Sequence, residues 1–123
     1  MYLNDLPDHM SPAVQARYKL ERIIVQSLVN ELIDDHDCLL ILDDGEGSVG
    51  VATDDGPFLL SYMMETDVDR IEAYPHGGSV LLVYGNGCDV IADYSMNLEP
   101  MIAKTLALAA AFERAVEAHS KAG

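Results

Sequence analysis

A chain of 123 residues, half of them hydrophobic, can bury the core of one domain and leaves little room for a second. Seven Lys and Arg stand against 21 Asp and Glu, for a formal charge of −14. That balance excludes ordinary binding to DNA, RNA or an anionic membrane, because polyanions repel one another.

Residues 1–10 read as a flexible or loosely packed lead-in to a single α+β domain spanning 1–123. Ser11-Pro12 then opens a helix, with a hydroxyl at the N-cap and proline at the first helical position. Leu20, Ile24, Leu28 and Leu32 recur every four residues, opposite a polar stripe of Gln15, Lys19, Arg22, Gln26 and Asn30. This periodicity predicts one amphipathic helix over residues 12–34. Asp34-Asp35-His36-Asp37 places negative charge at the negative end of the helix dipole, a cost that packing or function must outweigh.

The period then shortens. Cys38–Leu42 and Ser48–Thr53 are β-rich and flank Asp43-Asp44-Gly45-Glu46-Gly47, a hairpin signal. Asp54-Asp55-Gly56-Pro57 predicts a turn, Phe58–Met64 a strand, and Val68–Tyr74 another. Ser79–Tyr84 and Cys88–Tyr94 complete the set, after the turn Pro75-His76-Gly77-Gly78 and around Gly85-Asn86-Gly87. Links this short favour antiparallel neighbours, so an antiparallel meander of five to six strands is expected. Asn97 and Pro100 suit the start of a final helix, with Met101, Thr105, Leu108, Phe112 and Val116 on one face. The fold class is therefore α+β, an N-terminal helix, the sheet and a C-terminal helix in two layers, both helices on one sheet face.

The first ten residues include Asp5 and Asp8 and no base, unlike a secretory leader. No apolar run approaches the ~20 residues that span a bilayer. Cys38 and Cys88 sit in apolar, strand-like sequence and read as buried thiols. A bacterial cytoplasmic location is expected.

Charge is unevenly placed. From Glu31 to Glu99 there are 16 acids and one base, Arg70. Carboxylates fill the turns (Asp43, Asp44, Glu46, Asp54, Asp55) and alternate along strands, as in Glu65, Asp67 and Asp69. Residues two apart share a strand face about 6.8 Å apart, so these acids would form a negative stripe. Such a stripe is either a solvated face or a surface for a basic partner. The partner-binding residues expected from it are Asp34, Asp35, Asp37, Asp43, Asp44, Glu46, Asp54, Asp55, Glu65, Asp67 and Asp69.

Catalytic patterns are weak. His9, His36, His76 and His119 are scattered, Gly85-Asn86-Gly87 lacks the remainder of a phosphate loop, and Asp43-Asp44-Gly45-Glu46 lacks the alternation of a calcium loop. The chain reads as a non-enzyme with no metal or cofactor.

Two resemblances accompany this reading. Gly78-Ser79-Val80-Leu81-Leu82-Val83-Tyr84-Gly85-Asn86-Gly87, continued by Asp89–Tyr94, resembles a pattern near the end of small phage and mobile-element accessory proteins. That resemblance implies an anti-defence inhibitor, including those of the anti-CRISPR type, blocking a basic, nucleic-acid-binding surface of a bacterial complex as a DNA mimic can. The stretch Leu98–Ala118 is similar to the last helix of type III secretion chaperones, which implies a dimer holding an effector segment. Those chaperones carry a helix between their third and fourth strands, which Val68–Tyr74 is too short to supply. Homodimerisation is compatible with both.

Overall fold

The computed structural model describes residues 12–43, 49–64, 68–84 and 90–122. The lead-in and Ser11, the turn acids Asp44 and Glu46, the strand-entry acids Glu65 and Asp67, and Cys88 lie outside the described residues. Helix α1, Pro12–Asn30, runs directly into a π-helical turn, Glu31–Asp35, so the helical path covers the expected span. Ile24, Val25, Leu28, Val29 and Leu32 form its buried stripe. Leu20 departs from that stripe, being 44% exposed, while Tyr18 packs against the core and Glu21 is buried.

The helix stops at Asp37, whose left-handed φ of 53° reverses the chain. Asp37 N donates to the Ile33 carbonyl at 3.1 Å and Cys38 N to the Leu32 carbonyl at 2.9 Å. This resembles a Schellman closure, with each bond reaching one residue further back because the last turn is π-wide.

Strands β1, Leu39–Asp43, and β2, Val49–Thr53, form the expected hairpin. Residues 56–60 then depart from expectation. In place of a strand through Phe58–Met64, the chain makes a short helix α2, Gly56–Leu60, followed by turn structure to Met64. Asp55 caps it, its carboxylate accepting from Phe58 N at 3.0 Å, and Pro57 sits in the first turn. Cap plus proline is the same helix-start pattern that the sequence carries at Ser11-Pro12.

Strands β3, Val68–Tyr74, β4, Ser79–Val83, and β5, Ile91–Tyr94, complete an antiparallel sheet of order β2-β1-β3-β4-β5. The last three strands follow one another as expected. Between β2 and β3, however, the chain steps across β1 by way of α2 rather than pairing directly. Gly78, at φ 105°, admits no side chain: a Cβ there would lie 2.9 Å from Asn97 Oδ1 and 3.1 Å from Leu98 Cγ.

A 3₁₀ helix, Met96–Ile102, contains Pro100 and leads into α3, Ala103–Ala122. Asn97 does not cap it. Its amide donates instead to the Gly77 carbonyl at 2.9 Å and the His76 carbonyl at 3.3 Å, tying the β3–β4 turn to the helix entry.

One sheet face is buried and carries Leu40, Leu42, Ile71, Ala73, Val80, Leu82 and Tyr84. These side chains join those of α1, α2, the 3₁₀ helix and α3 in a single core. The fold is α+β in two layers, as the periodicity implied.

Candidate functional site

Two acid-bearing turns meet at one corner of the molecule. The first is the close of α1, where Asp34, Asp35 and Asp37 are exposed. The second follows β2, where Asp54 and Asp55 are exposed. Pairing of Thr53 with Leu40 sets the end of β2 beside the start of β1, just past Asp37. Gly56 closes the corner, its Cβ position lying 3.5 Å from Val29 Cγ1 and 3.9 Å from Ile33 Cδ1.

The carboxylates at this helix C-terminus meet one cation from α3. Asp35 Oδ2 lies 2.9 Å from Lys104 Nζ. The Lys104 hydrogen bond and then its charge hold the Asp35 carboxyl below its ordinary value, while Asp35 raises the Lys104 ammonium. Both groups are exposed, so this pair contributes little to stability.

Glu31 does more, and it was not among the expected site residues. Its carboxylate is buried and accepts from Lys104 N at 3.0 Å, Thr105 N at 2.9 Å and Thr105 Oγ1 at 2.8 Å. Thr105 spends its proton on Glu31, so Ser27 Oγ donates to Thr105 Oγ1 across 2.8 Å. A carboxylate from one helix thus caps the next, at the end where the dipole favours negative charge. The signal was present in the sequence: Glu31 interrupts the apolar stripe between Leu28 and Leu32.

Of the other expected residues, the two that are described, Asp43 and Asp69, do not join the corner. Asp43 is exposed at the far end of β1, about 13 Å along a five-residue strand. It faces Arg70 across β1–β3, and the same row continues through Leu81 to Asp93. Among the described residues, the open sheet face therefore mixes acids with a base and with Leu39, Val68 and Tyr74, all partly exposed, without an unbroken acidic stripe.

Asp69 is a correction: at 0% exposure it cannot meet a partner. It shares its strand face with Ile71 and Ala73. Its Oδ2 accepts from Tyr84 Oη at 2.7 Å and from Met64 N at 2.8 Å. The latter bond holds Met64 in a left-handed conformation, φ 64°. Burial, and then the Asp69 charge, push the Tyr84 phenol well above its ordinary value of 10.0. Asp69 supports the fold from within.

Cys38 is a buried free thiol whose Sγ–H points to the His36 carbonyl at 3.8 Å. Burial first, and Asp37 second, raise its pKa, which opposes thiolate formation. Among the described residues no group of three or more His, Cys, Asp or Glu side chains is placed to hold a metal ion. No described helix is long and apolar enough to cross a membrane.

Comparison of the chain with protein-family models, with curated proteins and with solved structures finds no match.

Proposed function

We propose that this protein is a non-enzymatic, acidic protein-binding module of the bacterial cytoplasm. Its partner is a basic surface that otherwise holds nucleic acid, and the module blocks that surface in the manner of a phage anti-defence inhibitor. The observation that supports this reading is the convergence of Asp34, Asp35, Asp37, Asp54 and Asp55 at one corner, opposed among the described ion pairs only by Lys104. Self-repulsion among five carboxylates weakens a fold, and two turns distant in sequence carry that cost at one place. Lys and Arg of a partner would relieve it, with a fast, salt-sensitive encounter.

The secretion-chaperone reading has less support. Turn residues alone join β3 to β4, and the internal helix α2 lies between β2 and β3 instead.

The test reverses charge where no described internal hydrogen bond is lost. Asp34→Lys/Asp54→Lys, immobilised beside the parent protein, is exposed to bacterial lysate at low salt. The parent is expected to retain a basic nucleic-acid-binding protein that the variant, still folded by circular dichroism, fails to retain. Equal retention by both would reduce the corner to a solvated face.

A further inference from the structure

The two long helices and the first ten residues carry opposite charge. The part of α1 before Val25 and the part of α3 after Ala107 hold Arg17, Lys19, Arg22, Arg114 and Lys121 against Glu21, Glu113 and Glu117, a net of +2. Residues 25–107 hold Arg70 and Lys104 against 16 acids. Residues 1–10 contain Asp5 and Asp8 and neither Lys nor Arg. These helix halves are therefore the one part of the chain that attracts the leading segment rather than repelling it.

The same halves leave apolar surface open. Ser27 of α1 meets Thr105 of α3, and further along Leu20, Ile23, Ile24, Leu108, Ala111 and Phe112 line an apolar groove of about 190 Å³. Leu20, Ile23 and Leu108 are exposed on its rim. A cavity of ~150 Å³ takes a benzene ring, so the groove has room for a branched aliphatic side chain. Lys19 precedes Ile23 by one helical turn and Arg114 follows Ala111 by three residues, and both bases are exposed.

The sequence of residues 1–10 has the matching pattern. Tyr2, Leu3 and Leu6 surround Asp5, and Pro7-Asp8 favours a turn between them and the helix start at Pro12. The reach is sufficient. Six steps from Leu6 to Pro12 span up to about 20 Å, whereas Leu20 lies about 12 Å along the helix from Pro12.

We propose that residues 1–10 fold back over the α1–α3 groove, seating Leu3 and Leu6 on Leu20, Ile23 and Leu108 and setting Asp5 and Asp8 beside Lys19 and Arg114. The contact covers the groove and both bases, and so leaves the acidic corner as the charged surface open to a partner.

Methyl NOE spectroscopy on the full chain tests this, with a second sample mixing differently labelled copies to separate contacts within a chain from contacts between chains. Cross-peaks within one chain are expected from Leu3 and Leu6 to Leu20, Ile23 and Leu108, and backbone order parameters at residues 3–6 should lie near the rigid value of about 0.85. Leu3→Ser/Leu6→Ser should erase those cross-peaks, shift the Leu20, Ile23 and Leu108 methyl resonances and drop the order parameters below about 0.6, while far-ultraviolet circular dichroism stays unchanged. Lys19→Glu/Arg114→Glu alters only exposed positions and should lower the same order parameters. Order parameters below about 0.6 in the parent, without cross-peaks, overturn the proposal. Groove methyls indifferent to Leu3→Ser/Leu6→Ser do the same, as do cross-peaks found only between chains, which would seat a second copy on the groove. Order parameters unmoved by Lys19→Glu/Arg114→Glu overturn the charge pairing. None of these failures touches the corner reading, whose test is capture of a basic partner.

Discussion

Two buried carboxylates, Glu31 and Asp69, do work inside the fold that their composition class would not suggest. Glu31 accepts three hydrogen bonds at the start of α3. Glu31→Ala strands those donors in a buried site and is expected to cost about 2–3 kcal/mol, read as a lower urea midpoint. Glu31→Gln, which keeps one acceptor oxygen, should lose less, and equal losses would show that the cap is not the source. Asp69 holds Tyr84, and the phenol's raised pKa has a definite sign. Its folded-state pKa lies above the unfolded value of 10.0, so the stabilisation is complete below pH 10 and is lost as pH rises further. Tyr84→Phe should therefore cost about 1.5–3 kcal/mol at neutral pH, with the deficit shrinking in urea titrations above pH 10. A deficit that stays constant through that range would contradict the assignment. Asp69 was legible in principle: position 69 shares parity with the apolar Ile71 and Ala73. The same parity also joins it to Glu65 and Asp67, which pointed to an outward stripe, and the Tyr84 hydroxyl and the Met64 N–H are what let a carboxylate sit on the inner face.

At the scale of elements, what was legible is what repeats. Helix α1 and strands β3 and β4 carry their period long enough to overrule local exceptions. Helix α2, with five residues, does not. Phe58, Leu60, Tyr62 and Met64 alternate as a strand would, yet Asp55 and Pro57 had already started a helix. The Phe58 and Tyr62 rings then meet edge to face at 5.3 Å, four residues apart, a contact natural to a helical turn and foreign to a strand. Asp55→Ala should cost about 0.5–2 kcal/mol through loss of the cap, measured by thermal unfolding. An unchanged midpoint would show that packing of α2 against the end of α1 suffices without it. The same short helix carries the chain across β1, while the Thr53–Leu40 pairing of the β1–β2 hairpin sets Asp54 and Asp55 beside the close of α1. The hairpin was legible from its two β-rich runs, but its register was not, and the meeting of Asp37 with Asp54 and Asp55 follows from that register.

Across the whole molecule, charge is sorted rather than merely abundant. The helices hold nearly all the bases, and the turns and sheet hold most of the acids. Such sorting leaves one corner suited to a basic neighbour. Because the corner is solvent-exposed, its attraction for a partner must fall as ions screen it. The most direct measurement is capture of a partner from bacterial lysate on the immobilised chain, washed at about 50 mM and about 300 mM salt, with excess duplex DNA as competitor. The account predicts a basic nucleic-acid-binding protein that is retained at low salt, lost at high salt and displaced by the DNA. Retention that resists both salt and DNA, or no retention at either salt, would contradict it.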